Sequence, residues 1–323
     1  MFEGLDGGDL WRVQIFLDRQ GFAPGKVDGL AGGFTEKAAI RWLQARQSTD
    51  PDTLLEEARK TVVEIEVHVS IPKIAAEFTG ELPAGHEAQA KAKLLPYQSL
   101  AEFMAERFLT DESALARLNP GRDLEELRIG QTLIVPAVSP FRIEVRESSL
   151  SPVGDAARGT SLRILHEENM LEVVRADGTL AAAFPITVGR KKEHIRNGTW
   201  KIDFRTIDPD FLYDPRMLAE GKSGPVKYLL PPGPNNPVGI LWMELEPVDG
   251  PEAHIGIHGT DSSARIGRNQ SSGCIRLANW DIVRLAPFTR AGTKVFWGPA
   301  GSGSRPEATS RLAAVEVALS RSN

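Results

Sequence analysis

The stretch from His254 to Leu277 constrains the fold most, because it combines reactive side chains with small residues. Its sequence is HIGIHGTDSSARIGRNQSSGCIRL, and it contains Cys274, the only cysteine in 323 residues. The alternation before His258 predicts a β-strand, and the glycines that follow predict a loop returning the chain to Cys274. A cysteine and a histidine brought together in this way are typical of a nucleophile and its general base.

The composition excludes several other classes of protein. A formal net charge of −5 argues against nucleic acid as a partner, and 41% hydrophobic with 25% charged residues is ordinary for a soluble globular protein. No apolar run approaches the roughly 18 residues of a membrane span. One cysteine excludes an intramolecular disulfide and multi-cysteine zinc sites, so we expect no metal and no cofactor. The N-terminus has no recognisable signal peptide, so either a leader has been removed or the chain stays in the cytoplasm.

Residues 1–49 predict a small helical domain. Apolar residues at helical spacing precede Gly21, and Thr35 is expected to cap a second helix that packs around Trp42. This unit resembles the helical peptidoglycan-binding domain. The matching residues are Val13, Gln14, Leu17, Gly21 to Gly25, Asp28, Gly29, Thr35, Ala39, Ile40 and Gln44.

Residues 50–92 predict a connector with one half-buried strand, because TVVEIEVHVSI alternates apolar and polar side chains. Residues 93–138 predict two helices, the first capped by Ser99 and the second by Asp111 or Ser113, between an opening strand at 93–97 and a closing strand. This βααβ order resembles a LysM domain. The matching residues are Leu118, Asn119, Pro120, Leu127, Gly130, Gln131, Leu133, Ile134, Val135 and Pro136.

Residues 139–300 predict a mainly β domain, and residues 301–323 a Gly/Ser-rich tail. Asp177-Gly178 is a hairpin turn signal, and the long, proline-rich segment 207–239 is typical of a binding loop or lid. The whole chain is therefore expected to be a multidomain α+β protein, with a small helical N-terminal module, a LysM-like βααβ module and a mainly β C-terminal catalytic domain.

The chemistry expected around Cys274 is acyl transfer. A thiol attacks only as the thiolate, so a histidine within reach must take its proton and later return it to a leaving amine. Backbone amides around Cys274 could form an oxyanion hole, and Arg276 suits a substrate carboxylate. The alternative is a buried structural cysteine beside a core histidine. A core strand usually carries bulky side chains, whereas this stretch is rich in small residues, which favours the catalytic interpretation.

The pattern His258-Gly259-Thr260, a glycine-containing loop, and Ser271-Ser272-Gly273-Cys274-Ile275-Arg276-Leu277 resembles the YkuD-type L,D-transpeptidase catalytic domain. The resemblance implies that Cys274 is the nucleophile, His258 the base, and the Gly259 carbonyl the group that orients its imidazole. Thr260, Ser271, Gly273 and Arg276 match supporting positions. Ser272 stands where the family usually has a histidine, so His254 either replaces that histidine or packs in the core.

The resemblance implies cysteine acyl transfer from a peptidoglycan tetrapeptide stem, with release of D-alanine and formation of a crosslink, or carboxypeptidation with water as acceptor. Peptide stems, and glycan through the upstream modules, are the expected partners of a monomer in the periplasm or cell envelope. Two alternatives stay open: a cell-wall-binding protein without turnover, and a cysteine hydrolase of another amide.

Overall fold

A computed structural model describes residues 1–2, 4–145, 158–189, 195–220, 222–250, 254–268 and 273–298. The tail predicted at 301–323 lies outside the described residues, as do Ser271 and Ser272 of the predicted site. Within the described residues, no helix is both long enough and apolar enough to cross a membrane.

The N-terminal unit is helical, as predicted. Helix α1 (Gly7–Arg19) and helix α2 (Gly33–Ala45) pack around Trp42, which is fully buried and meets Phe16 edge to face at 5.3 Å. The expected cap at Thr35 is wrong, because the N-cap is Gly32 and Thr35 lies inside the helix. Its hydroxyl instead accepts a hydrogen bond from Gln14 at 3.3 Å, which ties the two helices together. Helix α3 (Pro51–Thr61) follows and packs on α1.

The second unit has two strands with four described helices between them, and its opening strand is not at 93–97. Strand β1 (Glu66–Ser70) pairs antiparallel with β2 (Thr132–Pro136), so the strand predicted in the connector completes the unit. Between these strands lie the helices α4 (Ala75–Phe78), α5 (His86–Gln89), α6 (Leu100–Arg107) and α7 (Glu112–Leu118). As predicted, Ser99 caps α6, and Asp111 rather than Ser113 caps α7.

Residues 93–97 do not form the opening strand, because their backbone groups form hydrogen bonds with another part of the chain. The Leu95 amide donates to the carbonyl of Pro232 at 2.9 Å, and the Leu95 carbonyl accepts from Asn235 at 3.1 Å. Both partners belong to the C-terminal domain. This segment therefore joins the two units, while the alternating strand 66–70 takes the edge of β2.

The C-terminal domain is built on a mixed sheet of eight described strands. They are β3 (Ser161–Leu165), β4 (Met170–Val174), β5 (Leu180–Pro185), β6 (Gly198–Ile207), β9 (Leu241–Pro247), β10 (Ile255–His258), β11 (Ile275–Arg276) and β12 (Lys294–Trp297). Their order across the sheet is β11-β10-β9-β6-β12-β3-β4-β5. Among these described strands, the β12–β3 and β10–β11 pairs are parallel and the other pairs are antiparallel. Asp177 and Gly178 lie in the tight turn between β4 and β5, as predicted.

The sheet curls until its two edges meet beside the predicted site. Thr187, two residues beyond β5, forms an antiparallel bridge with Arg276 of β11, with both backbone hydrogen bonds at 2.9 Å. Helix α9 (Asn279–Leu285) follows β11 directly. Segment 207–239, predicted as a loop or lid, forms the hairpin β7 (Phe211–Tyr213) and β8 (Tyr228–Leu230) with helix α8 (Pro215–Glu220) between the strands.

The N-terminal unit adds directly to the catalytic sheet. Residues 21–23 run parallel to the free edge of β5, where the Ala23 amide donates to Ala183 at 2.8 Å and the Ala183 amide donates to Gly21 at 3.0 Å. Across the same interface Arg284 of α9 donates to Asp18 at 3.0 Å, and Arg41 pairs with Glu168. Buried apolar side chains of all three units form one continuous core, which fixes them relative to one another.

Candidate active site

Strands β10 and β11 bring Cys274 and His258 onto one face of the sheet. In this parallel pair, His258 lies beside Arg276. Two residues earlier on each strand, Cys274 therefore lies beside Gly256. Side chains at these positions point to the same side, because residues two apart in a strand share a face. The predicted nucleophile and base therefore lie on neighbouring strands at diagonal positions. The thiol is half-buried and the imidazole is buried.

The Gly259 carbonyl lies 2.6 Å from Nδ1 of His258. A carbonyl can only accept a hydrogen bond, so Nδ1 carries the proton and Nε2 is left unprotonated. The orienting role that the resemblance implied for Gly259 thus has a geometric basis. This tautomer leaves the imidazole ready to take a proton at Nε2.

Both reacting groups are neutral at rest. Burial, reinforced by the nearby Arg276 cation, lowers the pKa of His258 to about 3, although the carbonyls of Gly259 and Val238 oppose this shift. Burial also raises the pKa of the Cys274 thiol, against the effects of a Gly256 backbone hydrogen bond and Arg276. Both shifts favour the neutral thiol and the neutral imidazole over a standing thiolate–imidazolium pair.

Trp242 is a site residue that the sequence analysis missed. It faces His258 across the β9–β10 ladder, and its ring stacks on the imidazole with centroids 5.1 Å apart and planes 18° apart. The indole N–H donates to Glu244 at 2.7 Å, which fixes the ring plane. A side-chain carbon at Gly256 would lie 2.5 Å from the indole, so glycine makes room for this ring. The sequence does contain an indication of this role, because Trp242 occupies a polar position in the alternating segment LWMELEP.

Asn279 is a second missed residue, and it holds the backbone around the base. Its Oδ1 accepts from the amides of Ile240 at 3.4 Å and Thr260 at 3.3 Å, and its Nδ2 donates to Pro234 at 3.2 Å. Gly239, which has a φ of +63°, packs directly against this amide and against the Thr260 backbone. A side-chain carbon added at Gly239 would lie 2.6 Å from the Thr260 nitrogen. Asn279 therefore fixes the turn whose Gly259 carbonyl orients the imidazole.

The loop after His258 is anchored at both ends. The Thr260 hydroxyl donates to Asp261 at 3.2 Å and accepts from the Ser262 amide at 3.2 Å, so it supports the turn. Farther along, the Thr187 hydroxyl accepts from the Gly267 amide at 2.8 Å and donates to Arg265 at 3.1 Å. Gly273 has a φ of +130°, a conformation that favours glycine, so the chain can turn into Cys274.

Arg276 supplies the positive charge of the site. Its side chain is half-buried, and its Nε has no hydrogen-bond partner among the described residues. An unpaired buried donor costs about 1–3 kcal/mol. A planar guanidinium is suited to a carboxylate. Among the described residues, no group of three or more His, Cys, Asp or Glu side chains could hold a metal ion.

The prediction that His254 packs in the core is wrong. Its side chain is 98% exposed and lies 4.0 Å from a Glu244 oxygen, before the first residue of β10. The alternation does place it on the face of His258, but at the end of the strand, where no layer covers it. Whether His254 contacts substrate stays a prediction, and Ser271 and Ser272 lie outside the described residues.

Comparison with known proteins identifies the domain that carries this site. The family model for the YkuD L,D-transpeptidase catalytic domain matches residues 163–296, from β3 to β12. Residues 163–296 are an L,D-transpeptidase catalytic domain. The chain is accordingly an enzyme of the L,D-transpeptidase type, and the match includes Cys274, His258 and Trp242.

Two curated relatives are similar to part of this chain. A Bacillus licheniformis protein named L,D-transpeptidase YkuD is 28% identical over 199 residues, covering 60% of this chain and 90% of that protein. The Salmonella typhimurium L,D-transpeptidase ErfK/SrfK is 28% identical over 60% of this chain, which spans 58% of that protein. A solved L,D-transpeptidase from Mycobacterium smegmatis is 17% identical over 43% of this chain and 58% of that chain, with a TM-score of 0.31.

Proposed function

We propose that the chain acts on peptidoglycan, with Cys274 attacking the carbonyl of the L,D peptide bond that follows the diamino acid of a tetrapeptide stem. The hydrogen bond between His258 Nδ1 and the Gly259 carbonyl carries this proposal, because it leaves Nε2 free to accept the thiol proton. As the sulfur–carbon bond forms, the carbonyl oxygen becomes an oxyanion that backbone amides around Cys274 stabilise.

The intermediate then collapses with cleavage of the carbon–nitrogen bond. The imidazolium of His258 gives its proton to the departing amine, so D-alanine leaves neutral at nitrogen and a thioester remains on Cys274. An amine of a second stem attacks the thioester, loses a proton to His258 and regenerates the thiol, giving a crosslink. Water as the acceptor gives carboxypeptidation instead.

We place Arg276 opposite the terminal carboxylate of the donor stem. This carboxylate belongs to the D-alanine that leaves, so an interaction with it would position the scissile bond over Cys274. The support is the positive charge of Arg276, which lies on the same sheet face as the thiol.

The two N-terminal units are proposed to bring the domain to its polymer. One resembles the helical peptidoglycan-binding domain, and the unit completed by β1 and β2 resembles a LysM domain, here with an opening strand at 66–70. Both are fixed to the catalytic domain, so glycan bound to either would lie at a set distance from Cys274. A peptidoglycan substrate implies that the protein works in the periplasm or cell envelope, and we propose that it works there as a monomer.

The decisive experiment is incubation of the full chain with purified tetrapeptide muropeptides, followed by mass spectrometry. We expect release of D-alanine, a crosslinked dimer or a tripeptide, and a thioester adduct on Cys274 in intact mass. C274A should show none of these. If the wild type releases no D-alanine from any stem, peptidoglycan is not the substrate, and hydrolysis of another amide becomes the better proposal.

A further inference from the structure

A loop of the catalytic domain, residues 231–239, is held by side chain and backbone contacts with the second unit. The buried Asn235 side chain donates to the Pro96 carbonyl at 2.8 Å and to a Glu102 carboxyl oxygen at 3.0 Å. Glu102 lies in the first turn of helix α6, and Pro96 lies shortly before that helix. These bonds add to the two backbone hydrogen bonds between Leu95 and the same loop.

The loop also approaches the second unit closely along its backbone. Gly233 has a φ of +143°, and a side-chain carbon added there would lie 2.3 Å from the Leu95 carbonyl oxygen. Glycine is therefore the residue that permits this approach. Leu95 and Glu102 both lie outside the catalytic domain at 163–296. The loop is thus anchored by residues that the catalytic domain itself does not contain.

The anchored end of the loop is joined rigidly to its other end. Asn236 is fully buried, and its side chain accepts from the Val238 amide at 3.0 Å and donates to the Pro231 carbonyl at 2.8 Å. The Gly239 amide donates to the Asn236 carbonyl at 2.7 Å. Because these bonds close a compact turn, a displacement of Asn235 is transmitted to Val238 and Gly239.

Val238 and Gly239 both contact the surroundings of the imidazole. Gly239 packs against the backbone of Gly259 and Thr260. Burial lowers the pKa of His258, whereas the carbonyls of Gly259 and Val238 act in the opposite direction. A carbonyl with this effect stabilises the imidazolium that forms when the ring takes a proton. The loop therefore carries one of the two carbonyls that support the protonated ring and packs against the residue that carries the other.

Asn279 connects the same loop to the turn after the base. Its Nδ2 donates to the Pro234 carbonyl at 3.2 Å, and its Oδ1 accepts from the Thr260 amide at 3.3 Å. Glu106 of helix α6 forms a hydrogen bond with this asparagine as well. The second unit thus reaches the backbone around the base by two routes, through Asn235 and through Asn279.

We propose that Asn235 and Glu102 are positioning residues, through which the second unit orients the imidazole of His258. They act by holding the Val238 carbonyl and the Gly259 turn against the ring. The second unit is then a structural part of the active site, in addition to any contact that it makes with glycan. The proposal rests on His258 acting as the general base of the proposed function. Misplacement of a reacting group by about 1 Å can cost roughly a hundredfold in rate, so a modest shift of the loop is enough.

The test uses the full chain with N235A and E102A, singly and together, and measures kcat and KM on tetrapeptide muropeptides. We expect each single variant to lower kcat about tenfold with little change in KM, because the base loses its orientation while the substrate contacts stay. The double variant should be no slower than the slower single variant, since both substitutions remove the same contact. E102A leaves the catalytic domain unchanged, so it gives the answer even where N235A does not fold.

S99A is the matched control for E102A. The Ser99 hydroxyl accepts from the Glu102 amide at 2.9 Å, so S99A removes a cap of the same helix and leaves the contact with Asn235 in place. It should keep the wild-type kcat. Equal loss of kcat in S99A and E102A, a change in KM alone, or additive losses in the double variant would overturn the proposal.

A second measurement does not depend on turnover. The ¹⁵N chemical shifts of the His258 imidazole should report a single tautomer, protonated at Nδ1, in the wild type and in S99A. In N235A and E102A they should report a mixture of tautomers. The same single tautomer in all four proteins would contradict the positioning role. If the wild type does not turn over muropeptides, the proposed function fails, while the tautomers still decide whether the second unit orients His258.

Discussion

The indole of Trp242 lies almost parallel to the imidazole of His258, with ring centroids 5.1 Å apart. This stack covers the face of the base, while the Gly259 carbonyl holds its edge. Two perpendicular constraints therefore fix the imidazole that we propose as the general base.

We expect W242A to lower kcat about tenfold with little change in KM, because the base loses its orientation while the substrate contacts stay. W242F should retain most of the activity, since a flat ring still stacks. Steady-state kinetics on tetrapeptide muropeptides measures both. A larger effect on KM than on kcat would show instead that Trp242 binds substrate.

The alkylation rate of the Cys274 thiol should rise with pH and show no plateau at acid pH. The pKa of Cys274 is raised above its usual value of about 8.5, and His258, with a pKa of about 3, stays neutral. Iodoacetamide alkylation followed by intact mass from pH 5 to 10 should therefore increase through pH 9. H258A should change this profile little. A plateau near pH 6 that disappears in H258A would demonstrate a standing thiolate–imidazolium pair.

Arg276 should select donors by their terminal carboxylate. We expect R276Q to lower kcat/KM about tenfold to a hundredfold for stems with a free carboxylate, the loss expected for one charge-assisted hydrogen bond. Stems with an amidated terminus should react equally slowly with the wild type and the variant. Competition assays with the two stems give this ratio directly, and an equal loss on both stems would mean that Arg276 acts only on the thiol.

Glu106 should make the folded state less stable as pH rises. Burial raises its pKa to about 8 from 4.5, while hydrogen bonds with Tyr97 and Asn279 limit the shift. Between these two values the folded chain holds a proton that the unfolded chain releases, so stability falls by up to about 1.4 kcal/mol per pH unit. In E106Q this contribution should disappear, which urea denaturation from pH 5 to 9 would measure.

The exposed Glu112 on helix α7 provides the control for that experiment, because E112Q removes the same kind of group from the surface. Its stability should follow the wild-type pH dependence. Asp281, whose pKa is also raised to about 8, keeps its own contribution in both variants. Identical slopes for E106Q and the wild type would contradict a protonated Glu106 in the folded state.

Local patterns in the sequence predicted several elements of this protein correctly. Alternating apolar and polar residues predicted β1 and β10, and side-chain caps predicted the starts of α6 and α7. The lone cysteine with a histidine in the same stretch indicated acyl transfer. These features depend on periodicity and on residues three or four apart, which a sequence displays directly.

Only the tertiary structure decided which segments meet. Residues 66–70, rather than 93–97, pair with β2, and residues 21–23 extend the catalytic sheet. Trp242 and Asn279 entered the site, while His254 stayed in solvent. The physical reason is that strand pairing and stacking join residues far apart in the chain. Many partners satisfy the same local pattern, and only packing of the whole core selects among them.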